Sequence, residues 1–129
     1  MDFDFTPEQE ALKVGIEARV NTAVFTDIPD AAGLARELAA ERADVEAILQ
    51  ALQELGVMES LEGGLLAHSE AIAAVREKLR GYLAERGEIT VAQFRVLIGS
   101  NRRYAMGLLG HFDAEGLTRR DGDVRVLLR

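Results

Sequence analysis

The sequence has 129 residues, 48% of them hydrophobic, a formal net charge of −7 and no cysteine. This length allows one ordinary domain or two small ones, and the hydrophobic content supports a folded core. Without cysteine there can be no disulfide and no thiolate metal site. No apolar run approaches the length of a membrane-spanning helix, and no secretory leader is visible, so we expect a cytoplasmic protein with no membrane partner.

The charge is unevenly distributed. Residues 1–70 carry four basic side chains against 15 acidic ones, for a net charge of −11, whereas residues 71–129 carry 11 against seven, for a net charge of +4. The acidic pI of about 4.8 therefore averages two unlike halves. This asymmetry is typical of a chain in which one half faces a polyanion.

The first half, residues 1–68, predicts three helices and a small wing. Thr6 to Gln9 has the capping-box spacing with Pro7 at the first helical position, and a buried stripe follows at Leu12, Ile16 and Val20. Residues 25–28 form a short β-prone piece. Asp30 can cap a second helix, and a third carries its own apolar stripe at Val45, Ile48, Leu49, Leu52 and Leu55. Gly63 and Gly64 between apolar runs indicate a hairpin.

The second half, residues 69–129, repeats the plan. A helix with apolar residues at Ile72, Val75, Leu79, Tyr82 and Leu83 comes first. Thr90 and Gln93 then form a second capping-box signal, Gly99 ends that short helix, and another begins near Ser100 or Asn101. Its apolar stripe is Ala105, Leu108, Leu109 and Phe112. Gly116 predicts its end, and a hairpin with Asp121-Gly122 at the turn follows.

Three helices followed by a hairpin are the plan of a winged helix-turn-helix. We therefore predict a mainly α fold with small β wings, organised as two tandem winged helix-turn-helix domains. Residues 1–68 would be an acidic spacer or docking domain, because the third helix begins among Glu41, Asp44 and Glu46. Residues 69–129 would be the binder, because the equivalent element offers Ser100 to Arg103 at a helix N-terminus, which favours phosphate.

The second half resembles a known family, the bacterial selenocysteine-specific elongation factor SelB, in its last winged helix. The residues that carry this pattern are Thr90, Arg95, Gly99, Ser100, Arg102, Arg103, Tyr104, Leu108, Leu109, Phe112, Asp113, Gly116, Thr118, Arg119, Arg120, Gly122, Asp123, Arg125, Val126 and Leu127. Two positions depart from it: Asn101 stands in place of Ser or Thr, and Gly107 in place of a bulkier residue or Pro. The close resemblance covers about a third of the chain.

The resemblance implies RNA binding, with the mRNA hairpin that directs selenocysteine insertion as partner and the ribosome as a candidate second partner. In that family, GTP binds parts that precede the winged helices. This chain has no P-loop motif, so we expect a C-terminal fragment with no catalysis and no cofactor. We also expect a monomer without a metal site. The candidate RNA-binding residues are Arg95, Ser100, Asn101, Arg102, Arg103, Tyr104, Arg119, Arg120 and Arg125.

Several of these residues have a second interpretation. Alternation along a strand puts Arg119 and Arg120 on opposite faces, so one can contact RNA while the other pairs with an aspartate of the turn. Tyr104 can stack on an unpaired base or belong to the core. His68 and His111 lack the spacing of a metal site, and no catalytic set is visible.

The sequence also allows two other function classes. A DNA-binding regulator with tandem winged helices would place the recognition helix in a major groove, where Asn101 to Arg103 could read bases. Past Tyr104, however, the positions expected to point outward include Gly107, Gly110 and His111, and no Lys or Arg occurs before Arg119. The third class is a protein-interaction module in which the basic patch is incidental.

Overall fold

The computed structural model describes residues 4–22, 25 and 28–128. Six helices lie in these ranges: α1 (Pro7–Val20), α2 (Ala31–Glu37), α3 (Arg42–Glu54), α4 (Ser69–Arg86), α5 (Val91–Ile98) and α6 (Arg102–Glu115). Five strands join them: β1 (Met58–Leu61), β2 (Leu65–His68), β3 (Ile89–Thr90), β4 (Thr118–Asp121) and β5 (Val124–Leu127). The order of three helices and a hairpin occurs twice, as the sequence predicts.

The predicted helix starts are confirmed by their caps. Thr6 and Thr90 each form a complete capping box, with the glutamine three residues later returning a hydrogen bond to the cap backbone. Asp30 Oδ1 accepts from Gly33 N at 2.8 Å and so begins α2. These contacts satisfy N–H groups that a helix start leaves without partners.

The first wing is the antiparallel hairpin β1–β2, in which Met58 lies opposite His68 and Leu61 opposite Leu65. Its turn contains Gly63 and Gly64, both with positive φ, so the predicted hairpin is confirmed. The predicted β-prone piece at 25–28 lies partly outside the described residues. Its two described residues, Phe25 and Ile28, are not in a strand.

The second wing is a three-stranded antiparallel sheet in the order β3-β5-β4. The sequence predicts the β4–β5 hairpin but shifts its turn by one residue. Asp121 is the last strand residue and pairs with Val124, so the two-residue loop is Gly122-Asp123. Gly122 has φ +65. Glycine with positive φ at the first loop position is the pattern of a type II′ hairpin turn.

Two apolar clusters hold the chain together. The first joins α1, α2, α3 and Met58 around Ile16, Leu34 and Leu52. The second surrounds Leu108 and Phe112 of α6, and it also includes three residues from the first half of the chain: Phe25, Leu61 and Ala67. The division at residues 68 and 69 stays a prediction, and apolar contacts cross it.

Candidate nucleic-acid interface

The first turn of α6 is the element where the sequence places the binding residues. Asn101 is its N-cap, and its side chain accepts from Tyr104 N at 2.9 Å. Gly99, with φ +61, ends the preceding helix α5 in the left-handed region that favours glycine. This tight turn directs the N-terminus of α6 to the surface, where its first backbone N–H groups and the positive end of its dipole favour anions.

Three arginines stand around this helix start. Arg95 on α5, together with Arg102 and Arg103 on α6, has an exposed side chain. Within the described ranges, none of these three arginines forms an ion pair. Their guanidinium groups are therefore available for a negatively charged ligand such as a phosphate.

The wing arginines differ in their surroundings. Opposite residues of an antiparallel pair share a face, so Arg120 lies on the face of its partner Arg125, and Arg119 on the other face. Arg119 is exposed. Arg120 is also exposed, and its Nε donates to Gly122 O at 3.0 Å rather than to an aspartate of the turn.

Arg125 lies inside the protein, with a relative exposure of 6%. Its Nε donates to Asp113 Oδ2 at 3.2 Å, and Thr118 Oγ1 donates to Asp113 Oδ1 at 2.6 Å. Asp113 therefore ties the second wing to α6. In this arrangement, Arg125 holds the wing in place and does not present its guanidinium group to a ligand.

Tyr104 is also inside, with a relative exposure of 4%. Its hydroxyl donates to Leu66 O at 3.0 Å, and its ring lies 5.4 Å from the ring of Phe25. Burial raises the pKa of Tyr104 above its ordinary value, although the nearby positive charge of Arg103 acts in the opposite direction. In this place the ring cannot stack on a base.

The first wing covers the face of α6 that begins at Tyr104. Gly107 is buried, and a Cβ atom added there would lie 3.3 Å from Leu61 Cβ and 3.6 Å from Glu62 O. His111 Nε2 lies 3.6 Å from Glu59 Oε2. The expectation that Gly107 points outward is therefore wrong: the hairpin of the first half packs on it, and a larger residue would push that hairpin away.

The equivalent helix start in the first half is acidic. Glu41 is the N-cap of α3 without a side-chain cap hydrogen bond, and Asp44 follows in the first turn. Both side chains are exposed. The neighbouring Arg42 Nε lies 2.8 Å from Glu46 Oε1, which offsets its charge. A phosphate would meet carboxylates at this position.

Three structural contributors to the interface are not identified as such by the sequence. Asp113 and Thr118 support the wing and Phe25 packs on Tyr104, each through a contact between different elements of the fold. Ser100 is only partly accessible, and its buried Oγ has no hydrogen-bond partner within the described ranges. The alternation of residues along a strand and the apolar stripe of a helix do not predict such contacts between elements.

The two histidines lie between elements. His68 is buried, its Nδ1 accepts from Glu70 N at 3.1 Å, and its Nε2 lies 3.7 Å from Glu17 Oε1.

Over residues 4–22, 25 and 28–128, no group of three or more His, Asp or Glu side chains is placed to hold a metal ion. No helix in the same ranges has the length and apolar character needed to cross a membrane.

Comparison with known proteins places this chain beside one family and beside a solved structure of similar fold. Residues 81–127 match the family described as elongation factor SelB, winged helix. The whole fold is similar to the structure of the mRNA-binding domain of elongation factor SelB from E. coli in complex with SECIS RNA, with a TM-score of 0.78 and 23% identity. That match covers 97% of this chain and 100% of the other. No match was found among curated proteins.

These matches confirm the resemblance inferred from the sequence and the fold class, a mainly helical chain with small antiparallel sheets in a tandem winged-helix arrangement.

Proposed function

We propose, from the SelB winged-helix match over residues 81–127, that this chain is an mRNA-binding module of a selenocysteine-specific elongation factor. Its ligand would be a hairpin of the SECIS type, bound through backbone phosphates and unpaired bases. The structural observation that supports the proposal is the first turn of α6, where Arg102 and Arg103 are exposed at the helix N-terminus. The role is binding without catalysis, and it requires no cofactor in this chain.

The shape of the exposed surface favours RNA over DNA. The major groove of A-form RNA is too deep and narrow for a helix to enter, so a winged helix must meet an RNA hairpin end-on. In α6, the face that begins at Tyr104 is covered by the first wing, and the exposed residues past Arg103 are Met106, Ala114 and Glu115, none of them basic. A helix lying along a DNA groove needs polar groups over its length, so we set the DNA-regulator alternative second.

The two halves of the chain would have different roles in RNA binding. We propose that residues 69–129 contact RNA through Arg95, Ser100, Asn101, Arg102, Arg103 and Arg119, with Arg120 at the edge of the wing. Arg125 and Tyr104 would support this surface from inside. Residues 1–68 would serve as spacer or docking domain, since carboxylates occupy their helix start. As part of a translation factor, the module would act in the cytoplasm as a monomer, with the ribosome as a second candidate partner.

The test is the salt dependence of hairpin binding. We expect Arg102→Ala and Arg103→Ala each to weaken binding and to reduce the slope of log K against log salt by roughly one unit, because each removes one phosphate contact. Affinity would be measured by fluorescence anisotropy with a labelled SECIS-type hairpin at several salt concentrations. Circular dichroism would verify that each variant is folded.

The matched control is Arg80→Ala, which removes an exposed arginine from α4 whose partner is Glu77 on the same helix. It should change neither the affinity nor the slope. If the folded double variant of Arg102 and Arg103 binds like the unchanged protein, this surface is not the binding site.

A further inference from the structure

We infer that Tyr104 is a positioning residue, through which the first half of the chain holds the RNA-binding turn in its binding conformation. The acidic half would then set RNA affinity without touching RNA. The inference rests on the proposed function, because it concerns the same turn of α6. It assigns to the first wing a role beyond that of a spacer.

Tyr104 forms hydrogen bonds through both its backbone and its side chain. Its backbone N donates to Asn101 Oδ1 at 2.9 Å, within the turn that carries the two arginines. Its side chain leaves that turn and enters the other half, where the hydroxyl reaches Leu66 O at 3.0 Å and the ring packs beside Phe25. Tyr104 directly follows Arg102-Arg103, so an anchor on its side chain restricts both arginine backbones.

The contact between the first wing and α6 extends one helical turn beyond Tyr104. Gly107, one turn after Tyr104, lets Leu61 approach so closely that a Cβ atom at this position would lie 3.3 Å from Leu61 Cβ. Gly110 differs, because a Cβ atom there would meet only Glu62 Oε2, the mobile end of a long side chain, at 3.4 Å. The close approach is therefore concentrated at Tyr104 and Gly107.

A held first turn matters for binding because helix ends fray. An ordered turn presents its N–H groups and guanidinium groups without a further loss of conformational entropy on association, whereas a frayed one must first be ordered. The anchor therefore changes affinity and leaves the number of phosphate contacts unchanged. This combination distinguishes positioning from direct contact.

The first experiment replaces Tyr104 with Phe, which removes the hydroxyl and keeps the ring. We expect hairpin binding to weaken about three- to tenfold, the size expected for one hydrogen bond. The salt slope should stay within about half a unit of its original value, since Arg102 and Arg103 remain. Amide hydrogen exchange at Tyr104 and Ala105 should become faster.

The matched control is Ser69→Ala. Ser69 Oγ donates to Gly56 O at 2.6 Å, so this variant also deletes a bond from a hydroxyl to a backbone carbonyl, but away from α6. It should lower stability to a similar extent and leave both RNA affinity and exchange at Tyr104 unchanged. A general loss of stability would instead affect both variants alike.

A second pair of variants tests the wing contact without touching Tyr104. Gly107→Ala must displace the first wing by a few tenths of an ångström, whereas Gly110→Ala meets only a mobile side-chain end. Both gain the same helix propensity. We expect Gly107→Ala to weaken RNA binding, again with an unchanged salt slope, and Gly110→Ala to leave RNA binding unchanged.

Two results would overturn the inference. Unchanged affinity in Tyr104→Phe means that the hydroxyl bond does not position the turn. A slope reduced by about one unit in Tyr104→Phe means that Tyr104 contacts a phosphate directly. Failure of the proposed function is separate, because it would appear as unchanged binding in the Arg102 and Arg103 variants.

Discussion

At the scale of single residues, the arginines of the second half have two distinct environments. Arg102 and Arg103 are exposed and outside the ion pairs of the described ranges, whereas Arg125 is buried against Asp113. The sequence marks all of them as basic but cannot separate them, because Asp113 lies on a helix and Arg125 on a strand 12 residues later. Only the packing of the hairpin on α6 shows which charge is structural.

This distinction predicts the effect of removing Asp113. Asp113→Ala would leave the buried Arg125 guanidinium and the Thr118 hydroxyl without their acceptor, so we expect a loss of about 2–4 kcal/mol in the free energy of unfolding. Urea denaturation would measure it. Asp123→Asn, in the exposed turn of the same hairpin, should stay within about 0.5 kcal/mol of the original value. Equal stability of both variants would show that Arg125 does not depend on Asp113.

At the scale of elements, the sequence predicts much of the structure because local chemistry determines it. Capping residues and helix-ending glycines act over three or four positions, which are visible in the chain. The turn of the second hairpin is misplaced by one residue because Asp121-Gly122 and Gly122-Asp123 both suit a turn, and only the strand register decides between them. No local sequence pattern predicts that the first wing covers α6.

Asn101 allows the fold of α6 to be separated from its ligand. Asn101→Ala removes the cap that bonds Tyr104 N and should cost about 1 kcal/mol of stability, measured by thermal or urea unfolding. Asn101→Asp preserves the cap, because aspartate caps as well as asparagine does. We expect it to preserve stability yet weaken RNA binding, since it adds a carboxylate beside the phosphate site. Full RNA affinity in the folded Asp variant would place the phosphates elsewhere.

At the scale of the whole molecule, charge and packing divide the chain differently. Charge separates an acidic first half from a basic second half, as the sequence shows directly. Packing joins them, because Phe25, Leu61 and Ala67 belong to the same apolar cluster as α6. The sequence could not reveal this connection, since neither the apolar periodicity of the first half nor its hairpin signal indicates a partner outside that half.

In the proposed function, this molecule meets an RNA hairpin end-on, through phosphates and unpaired bases. The most direct measurement compares the affinities of hairpins with swapped stem base pairs, hairpins with substituted unpaired bases, and a DNA hairpin of the same sequence. We predict that stem swaps change Kd by less than about threefold, while substitution of the unpaired bases and replacement by DNA each weaken binding by about tenfold or more. Loss of binding on stem swaps, with full binding after substitution of the unpaired bases, would mean that the protein reads the stem and not the unpaired bases.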